Sequence, residues 1–234
     1  MDNRKIIEIE ENTLFFLYRR GKPEHIRALY ERGELYINTI DFIRECDQNE
    51  DRSDIHDGIS VRNFLGEVEV KMCEAGKDIN KYGTSLNGSN CVMITDSDEK
   101  GNIYCLSGIY SEHLMGERNN IDFNTKAFGE SLILIHNPRQ FIDRVLETLK
   151  VKGFENVQYK PVTYYSNDYS GRIGFFRKHE KFKYQNEFRF FIPNQRNERI
   201  EISIGSLKDI AVIENNGMLK LTYTDNKQQI IKIG

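Results

Sequence analysis

Residues 13–39 read TLFFLYRRGKPEHIRALYERGELYINT and contain the clearest secondary-structure pattern in the chain. The run begins with six residues rich in β-forming apolar types, which is typical of a central strand and too short for a buried helix. Pro23 then suits the first turn of a helix, and Gly33 suits its end. A second strand is expected over residues 34–38. The segment therefore predicts a strand–helix–strand unit.

Further along the chain, the β-signal dominates. Thr39 is placed to cap a short helix, and Asn137 with Pro138 begins a second, strongly amphipathic helix that ends near Leu149. A polar loop is expected over residues 82–90. Strands are expected at residues 67–72, 91–95, 102–106, 131–136, 157–165, 187–192, 200–204 and 210–213, and Asn215-Asn216-Gly217 predicts a hairpin that returns residues 211–213 onto 218–223. The pattern predicts one α+β domain over residues 1–234.

Composition narrows the functional classes. The chain has 33 Lys and Arg against 36 Asp and Glu, a net charge of −3, which excludes a histone-like polycation. Acidic residues interrupt the apolar runs near the start, and no apolar stretch approaches the ~20 residues that span a bilayer, so neither a signal peptide nor a membrane helix is expected. Scattered cysteines indicate free thiols in a reducing cytoplasm. They are Cys46, Cys73, Cys91 and Cys105.

Polar groups follow three of the predicted strands. The three segments are Tyr18-Arg19-Arg20-Gly21, Tyr104-Cys105-Leu106-Ser107-Gly108 and Tyr184-Gln185-Asn186-Glu187-Phe188-Arg189. Together they resemble the signature of the ADP-ribosyltransferase fold, in which an Arg or His, a Ser or Thr and a Gln/Glu-x-Glu surround NAD. The resemblance implies an α+β fold with a mainly antiparallel, split β core and a few flanking helices. It also implies NAD as substrate and no metal.

The chemistry of NAD cleavage suits these residue types. Breaking the bond between nicotinamide and ribose develops positive charge on the ribose, which an ionised Glu187 would stabilise. Arg189 lies on the same strand face and would keep Glu187 ionised. Gln185 would position the acceptor.

The remaining predicted contacts are with NAD itself. Arg19 is expected to act both in catalysis and in binding, by holding a pyrophosphate or ribose oxygen with its planar guanidinium. Ser107 is expected to contact the nicotinamide ribose, and Tyr18 and Thr39 complete the predicted NAD-binding set. A simpler interpretation also fits each pattern, because Glu187 and Arg189 suit a solvated pair on an edge strand, Arg19 a solvated strand end and Ser107 a turn.

A second resemblance concerns biological context. The chain is similar to uncharacterised bacterial proteins found near phage-defence genes in residues 33–39, 42–44, 51–54 and 57–58, and in Phe176, Lys178 and residues 184–189. This implies an intracellular toxin or defence effector, with a nucleic acid or protein as acceptor and an antitoxin or phage-derived molecule as a further partner.

Other functional classes remain open from the sequence. Basic and aromatic residues alternate over Arg172–Tyr184, which favours either a non-enzymatic module binding nucleic acid or protein, or a basic segment whose aromatics are core. Asp54, His56 and Asp57 would suit a metal nuclease, and Asp47 to Asp51 partly matches a calcium loop without its glycine. Walker and Rossmann glycine motifs are absent, which argues against a conventional ATPase or dehydrogenase.

Overall fold

The computed structural model describes residues 13–46, 56–114, 121–123, 125–214, 217–222 and 226–233. The helices are α1 (Pro23–Arg32), α2 (Ile40–Cys46), α3 (Ile79–Tyr82), α4 (Ser111–Leu114) and α5 (Pro138–Val151), with 3-10 turns at Lys126–Phe128, Gly174–Phe176 and Glu180–Gln185. The strands are β1 (Leu14–Gly21), β2 (Glu34–Thr39), β3 (Val61–Met72), β4 (Thr84–Thr95), β5 (Gly101–Tyr110), β6 (Ile121–Asp122), β7 (Ser131–Ile135), β8 (Gln158–Pro161), β9 (Thr163–Tyr165), β10 (Gly171–Arg172), β11 (Arg177–His179), β12 (Glu187–Pro193), β13 (Ile200–Ser203), β14 (Ala211–Glu214), β15 (Gly217–Thr222) and β16 (Gln228–Ile233). The α+β class is confirmed.

The opening unit folds as its sequence pattern predicts. Pro23 occupies the first turn of α1, and Gly33 ends the helix in the left-handed conformation with φ 64°. A Cβ at Gly33 would also lie 2.1 Å from the Gly205 carbonyl oxygen, so the position requires glycine. The Thr39 hydroxyl accepts a hydrogen bond from the Phe42 amide at 3.1 Å and caps α2.

The main sheet has eight strands, and all of its pairs are antiparallel. Its order is β13-β2-β5-β1-β7-β14, with β12 on the other side of β5 and β8 beyond β12. A second sheet joins β10, β3 and β4, a third joins β15, β16 and β6, and β9 pairs with β11. Sheets are thus mostly antiparallel, with parallel pairs at β9–β11 and β6–β16.

The two faces of the main sheet are covered differently. On one face α1 and α5 pack Leu29, Phe141 and Val145 against the large apolar core of the sheet. On the other face lie two smaller clusters, one around Tyr18 and the C-terminal strand β16, the other around Ile103. The functional cleft described below opens on this second face, between the two clusters.

Three expectations about secondary structure are wrong. The polar loop predicted over residues 82–90 belongs largely to β4, because pairing with β3 satisfies the backbone whatever the side chains are. The strand expected over residues 157–165 is two strands that separate at Val162. For the predicted terminal hairpin, the described strands have other partners: β14 pairs with β7, which buries Ala211 against the main core, and β15 pairs with β16. Asn215 and Asn216 of the predicted turn lie outside the described residues.

Candidate functional site

A cleft of about 410 Å³ opens where the main sheet splits. One side of β5 pairs continuously with β12. Its other side pairs with β2 only at Asn102 and Ile103, and with β1 only from Ser107 onward. The two neighbours diverge between these points, so the sheet leaves a gap beside the middle of β5. The cleft has the volume of an ordinary small-molecule site.

Three of the predicted site residues form a row across the sheet at this gap. Ser107 of β5 is the direct register partner of Tyr18 in β1 and of Glu187 in β12. Directly paired residues on adjacent strands share a face, and all three line the cleft. The fold therefore places side chains from positions 18, 107 and 187 next to one another.

Arg19 reaches the cleft through the gap itself. Alternation along β1 places it on the opposite face from Tyr18. Its Nη1 donates a 2.5 Å hydrogen bond to the Cys105 carbonyl oxygen, and its guanidinium lies 4.5 Å from the centre of the Tyr104 ring. The side chain is half-buried, so donors remain at the cleft. Arg20 also lines the cleft, but its guanidinium donates to the carbonyls of Ile233 and Gly129 and ties β1 to the C-terminal strand.

Glu187 belongs to a buried ionic network. Arg189 Nε donates to Glu187 Oε2 at 2.7 Å, and Lys178 Nζ donates to Glu187 Oε1 at 3.3 Å. Arg189 also binds both carboxylate oxygens of Asp57, at 2.8 and 3.1 Å. Lys178 and Arg189 are only 2% and 1% exposed. The simpler interpretation of a solvated pair on an edge strand is therefore wrong, because β12 has strands on both sides and the pair is buried.

The network fixes the charges of its members. Burial alone would raise the pKa of Glu187, but Arg189 and Lys178 hold that pKa below its ordinary value. Burial opposes the charge of Lys178, yet Glu187 and Asp57 raise the pKa of its ammonium group. Glu187 is thus an ionised carboxylate inside the cleft, as an electrostatic role requires. Burial raises the pKa of the neighbouring Cys105 to about 12, so this thiol is protonated at neutral pH.

Gln185 lines the cleft although it lies outside the strand. It ends the 3-10 turn before β12, and Asn186 follows it in the left-handed conformation. Lys178 Nζ donates to Gln185 Oε1 at 2.9 Å, so one lysine orients both Gln185 and Glu187. Thr39 is the predicted site residue that the cleft lining does not include. Its hydroxyl is engaged as the cap of α2.

Two buried hydroxyls face the cleft without a protein hydrogen bond. Within the described residues, neither the Tyr18 hydroxyl nor Thr125 Oγ1 has a hydrogen-bond partner. Burial raises the pKa of Tyr18, and the nearby Ser107 and Thr125 side chains oppose part of that rise. Buried polar atoms are normally satisfied by protein, water or ligand. This end of the cleft is therefore suited to a polar ligand group.

The lining favours an anionic ligand. Among the described residues it contains four cations, Arg19, Arg20, Lys178 and Arg189, and two anions, Asp57 and Glu187. The pairs in the network neutralise each other, so the arginines of β1 supply the excess positive charge. Phosphate groups are the biological anions that planar guanidinium groups bind best.

Two alternative interpretations lose their support. Asp57, which the sequence offered as a nuclease ligand, has both oxygens bound by Arg189, and the described residues contain no group of metal-binding side chains. Asp54 and Asp47 to Asp51 lie outside the described residues. In the basic segment, Phe175, Phe176 and Phe182 are buried, so they belong to the core and are unavailable for stacking on bases.

Sequence reasoning missed the roles of Lys178 and Asp57. The sequence analysis treated Lys178 as one of several basic residues and Asp57 as a candidate nuclease ligand, and it placed neither beside Glu187 and Arg189. Asp57 acts through Arg189, 132 positions away in the chain, whereas Lys178 contacts Gln185 and Glu187, seven and nine positions away, across an irregular turn. Their short-range signal was slight: an aspartate just before the Gly58 turn, and a lysine seven residues before Gln185.

Comparisons with family models, with curated proteins and with solved structures gave no match. Within the described residues, no helix is both long and apolar enough to cross a membrane.

Proposed function

We propose that this protein is an ADP-ribosyltransferase-like enzyme that cleaves NAD and transfers ADP-ribose to a macromolecular acceptor. The observation that carries the proposal is the row of Tyr18, Ser107 and Glu187 across three strands at the split of the sheet. Arg19 reaches the same cleft from the gap, and Gln185 borders Glu187. Five of the six residues that the sequence assigned to NAD chemistry thus line one cleft.

The reaction breaks the bond between the ribose and the nicotinamide nitrogen. The bonding electron pair stays on that nitrogen and neutralises the pyridinium, while a lone pair of an acceptor oxygen or nitrogen forms the new bond to ribose. The acceptor then loses its proton. In this scheme Glu187 faces the ribose as positive charge develops on it, which is where a fixed carboxylate lowers the barrier.

The other residues have binding and positioning roles. A carboxylate has about four acceptor sites, so Glu187 can bind a ribose hydroxyl while it keeps its bonds to Lys178 and Arg189. Arg19 binds the pyrophosphate, Ser107 the nicotinamide ribose, and the Tyr18 hydroxyl a polar group at the nicotinamide end. Gln185, oriented by Lys178, positions the acceptor.

The similarity to phage-defence proteins supports the biological part of the proposal. The enzyme would act in the cytoplasm as a toxin or defence effector, with a nucleic acid or a protein as acceptor. An antitoxin or a phage-derived molecule would control it.

The test is nicotinamide release from NAD by the purified protein, alone and with RNA, DNA or cell lysate. Glu187→Gln alone would leave two buried cations facing one anion and would destabilise the fold. The informative variant is therefore Glu187→Gln/Lys178→Met, which removes one charge of each sign. We expect it to lose activity by about 10²–10³-fold, the usual effect of removing one group that stabilises transition-state charge.

Three further variants complete the test, two of them as controls. Lys178→Met alone keeps Glu187 beside Arg189 and separates the loss of the carboxylate from the loss of the lysine. Arg19→Ala should weaken NAD binding in calorimetry, whereas Arg27→Ala, an exposed arginine on α1, should not. If the wild type releases no nicotinamide with any acceptor, or if the folded double variant remains fully active, the assignment is wrong.

A further inference from the structure

Strands β3 and β4 and the short helix α3 between them form a long hairpin, called here the arm (residues 61–95). The strands pair from Val61 with Thr95 to Met72 with Thr84. Twelve residues at the ordinary rise make a ribbon about 40 Å long. The additional strand β10 pairs only with the first two residues of β3, so most of the arm is a two-stranded ribbon.

The arm exposes apolar side chains along its length. Val70 and Leu86 are direct cross-strand partners on one face, 48% and 53% exposed, and Met72 follows on the same face. In contrast, Glu69 and Lys71 lie on the opposite face. A two-stranded ribbon is at best marginally stable in water by itself, and a solvated apolar face makes it less so. Both features favour contact of this face with another surface.

The two strands of the arm differ in how their edges are protected. All charged residues of the paired strands lie on β3: Arg62, Glu67, Glu69 and Lys71. Strand β4, TSLNGSNCVMIT, has no charge and no proline over twelve residues in a chain that is 29% charged. Charges and prolines are the usual devices that prevent a free edge from pairing with another strand. β4 lacks both, and it ends its sheet with no strand beyond it among the described residues.

The lack of charge also indicates which partner fits. When two copies of one strand pair antiparallel about a two-fold axis, the residue on the axis faces its own copy, and every other residue faces the position equally far beyond the axis. A charged residue on the axis therefore faces a like charge, which destabilises the pair, and β3 has four charged residues. Strand β4 has none. A different protein would instead gain specificity from complementary charges on the edge, which β4 does not offer.

We propose that the arm is a dimerisation element, in which β4 pairs antiparallel with β4 of a second copy of this chain. The product is a continuous four-stranded sheet, β3-β4-β4-β3. Pairing joins the outer edges of the two β4 strands by backbone hydrogen bonds, and it joins the apolar faces around Val70 and Leu86 of the two copies. The inference is independent of the reaction at the cleft.

The test combines oligomeric state with hydrogen exchange on the full chain. Sedimentation velocity from about 1 to 100 µM should show a concentration-dependent monomer–dimer equilibrium. Hydrogen–deuterium exchange at the lowest and the highest of these protein concentrations should show that the amides of residues 84–95 become protected at the highest. The backbone groups of β3 should change far less, because β3 stays at the outside of the joined sheet.

A matched pair of variants identifies the strand. Leu86→Lys/Val92→Lys introduces two charges on β4, placed symmetrically about its middle, and should raise the dimer dissociation constant at least about tenfold through like charges at the seam. Leu65→Lys/Val151→Lys introduces the same two charges at exposed positions away from the joined faces, one on β3 and one at the end of α5, and should change it less than about threefold.

Three results would overturn the proposal. These are a monomer throughout the concentration range, a dimer whose β4 amides exchange equally at both concentrations, and equal weakening by the two variants. A strict monomer would leave the β4 edge to a segment of another protein.

Discussion

The cleft and the arm depart from the usual distribution of side chains in opposite directions. In the cleft, charged groups are buried: Lys178 and Arg189 are almost inaccessible to solvent and are held by Glu187 and Asp57. On the arm, apolar groups such as Val70 and Leu86 are exposed. Buried charges are tolerated where each has a partner, whereas exposed apolar groups are tolerated where they cost little on their own. Both regions therefore indicate contact with another molecule. Only the cleft is held together by ion pairs between its own side chains.

The largest expected effect separates buried from exposed charges. Arg189→Met leaves Asp57 and Glu187 without their main partner, and we expect a loss of about 3–5 kcal/mol of unfolding free energy. The matched control is Arg144→Met, which removes the exposed ion pair with Asp209 and should cost less than about 1 kcal/mol. Urea unfolding of both variants measures the difference. Equal losses would mean that the network does not stabilise the fold.

The second effect is a pH dependence that originates in the cleft. The pKa of Glu187 is lower in the folded protein than in the unfolded chain, so its contribution is complete above the unfolded pKa of about 4.3 and is lost as the pH falls through the folded pKa. Each unit of pKa lowering corresponds to about 1.4 kcal/mol. Urea unfolding between about pH 3 and pH 7 should therefore show stability falling with acid.

The variant Glu187→Gln/Lys178→Met serves as the control for this titration. It lacks the carboxylate that titrates, so its stability should fall less steeply over the same acidic range. Parallel curves for wild type and variant would assign the acid sensitivity to other carboxylates.

The smallest effect is expected on the arm. Val70→Ser and Leu86→Ser replace side chains that are already about half exposed, so each should change the unfolding free energy by no more than about 0.5 kcal/mol. The measurement is urea unfolding at the lowest usable protein concentration, where the monomer prevails. A loss above about 2 kcal/mol would show that these side chains are buried in the monomer.

Local patterns predicted the opening unit and the long helix. The bounds of α1 follow from Pro23 and Gly33, and α5 begins at Pro138 after the Asn137 cap. The apolar run located β1, but the strand extends beyond it through Arg19 and Arg20 to Gly21. Such signals act within a few residues, so neighbouring sequence is sufficient to locate them. The alternation of side chains along a strand is also a local property. It predicted that Glu187 and Arg189 share a face, which their ion pair confirms.

Strand pairing beyond neighbours was not predictable. The Asn215-Asn216-Gly217 turn signal is strong locally, but β14 pairs with β7 and buries Ala211 there, and a local turn signal contains no information about that distant strand. Residues 91–95 of β4 were predicted as a strand, but residues 84–90 gave no strand signal. Their polar side chains face solvent, and it is pairing with β3 that holds this part of the chain extended.

The sequence by itself determined which residues have useful chemistry: an arginine after the first strand, a serine in the middle strand and Gln185-x-Glu187 before the last core strand. The tertiary structure alone decided that β5 loses its neighbour between β2 and β1, and that Tyr18, Ser107 and Glu187 meet there. It also decided that Asp57 and Lys178 enclose the site. The reason is that side-chain type and strand alternation are local properties, whereas a row across three strands and a buried charge balance depend on contacts between distant parts of the chain.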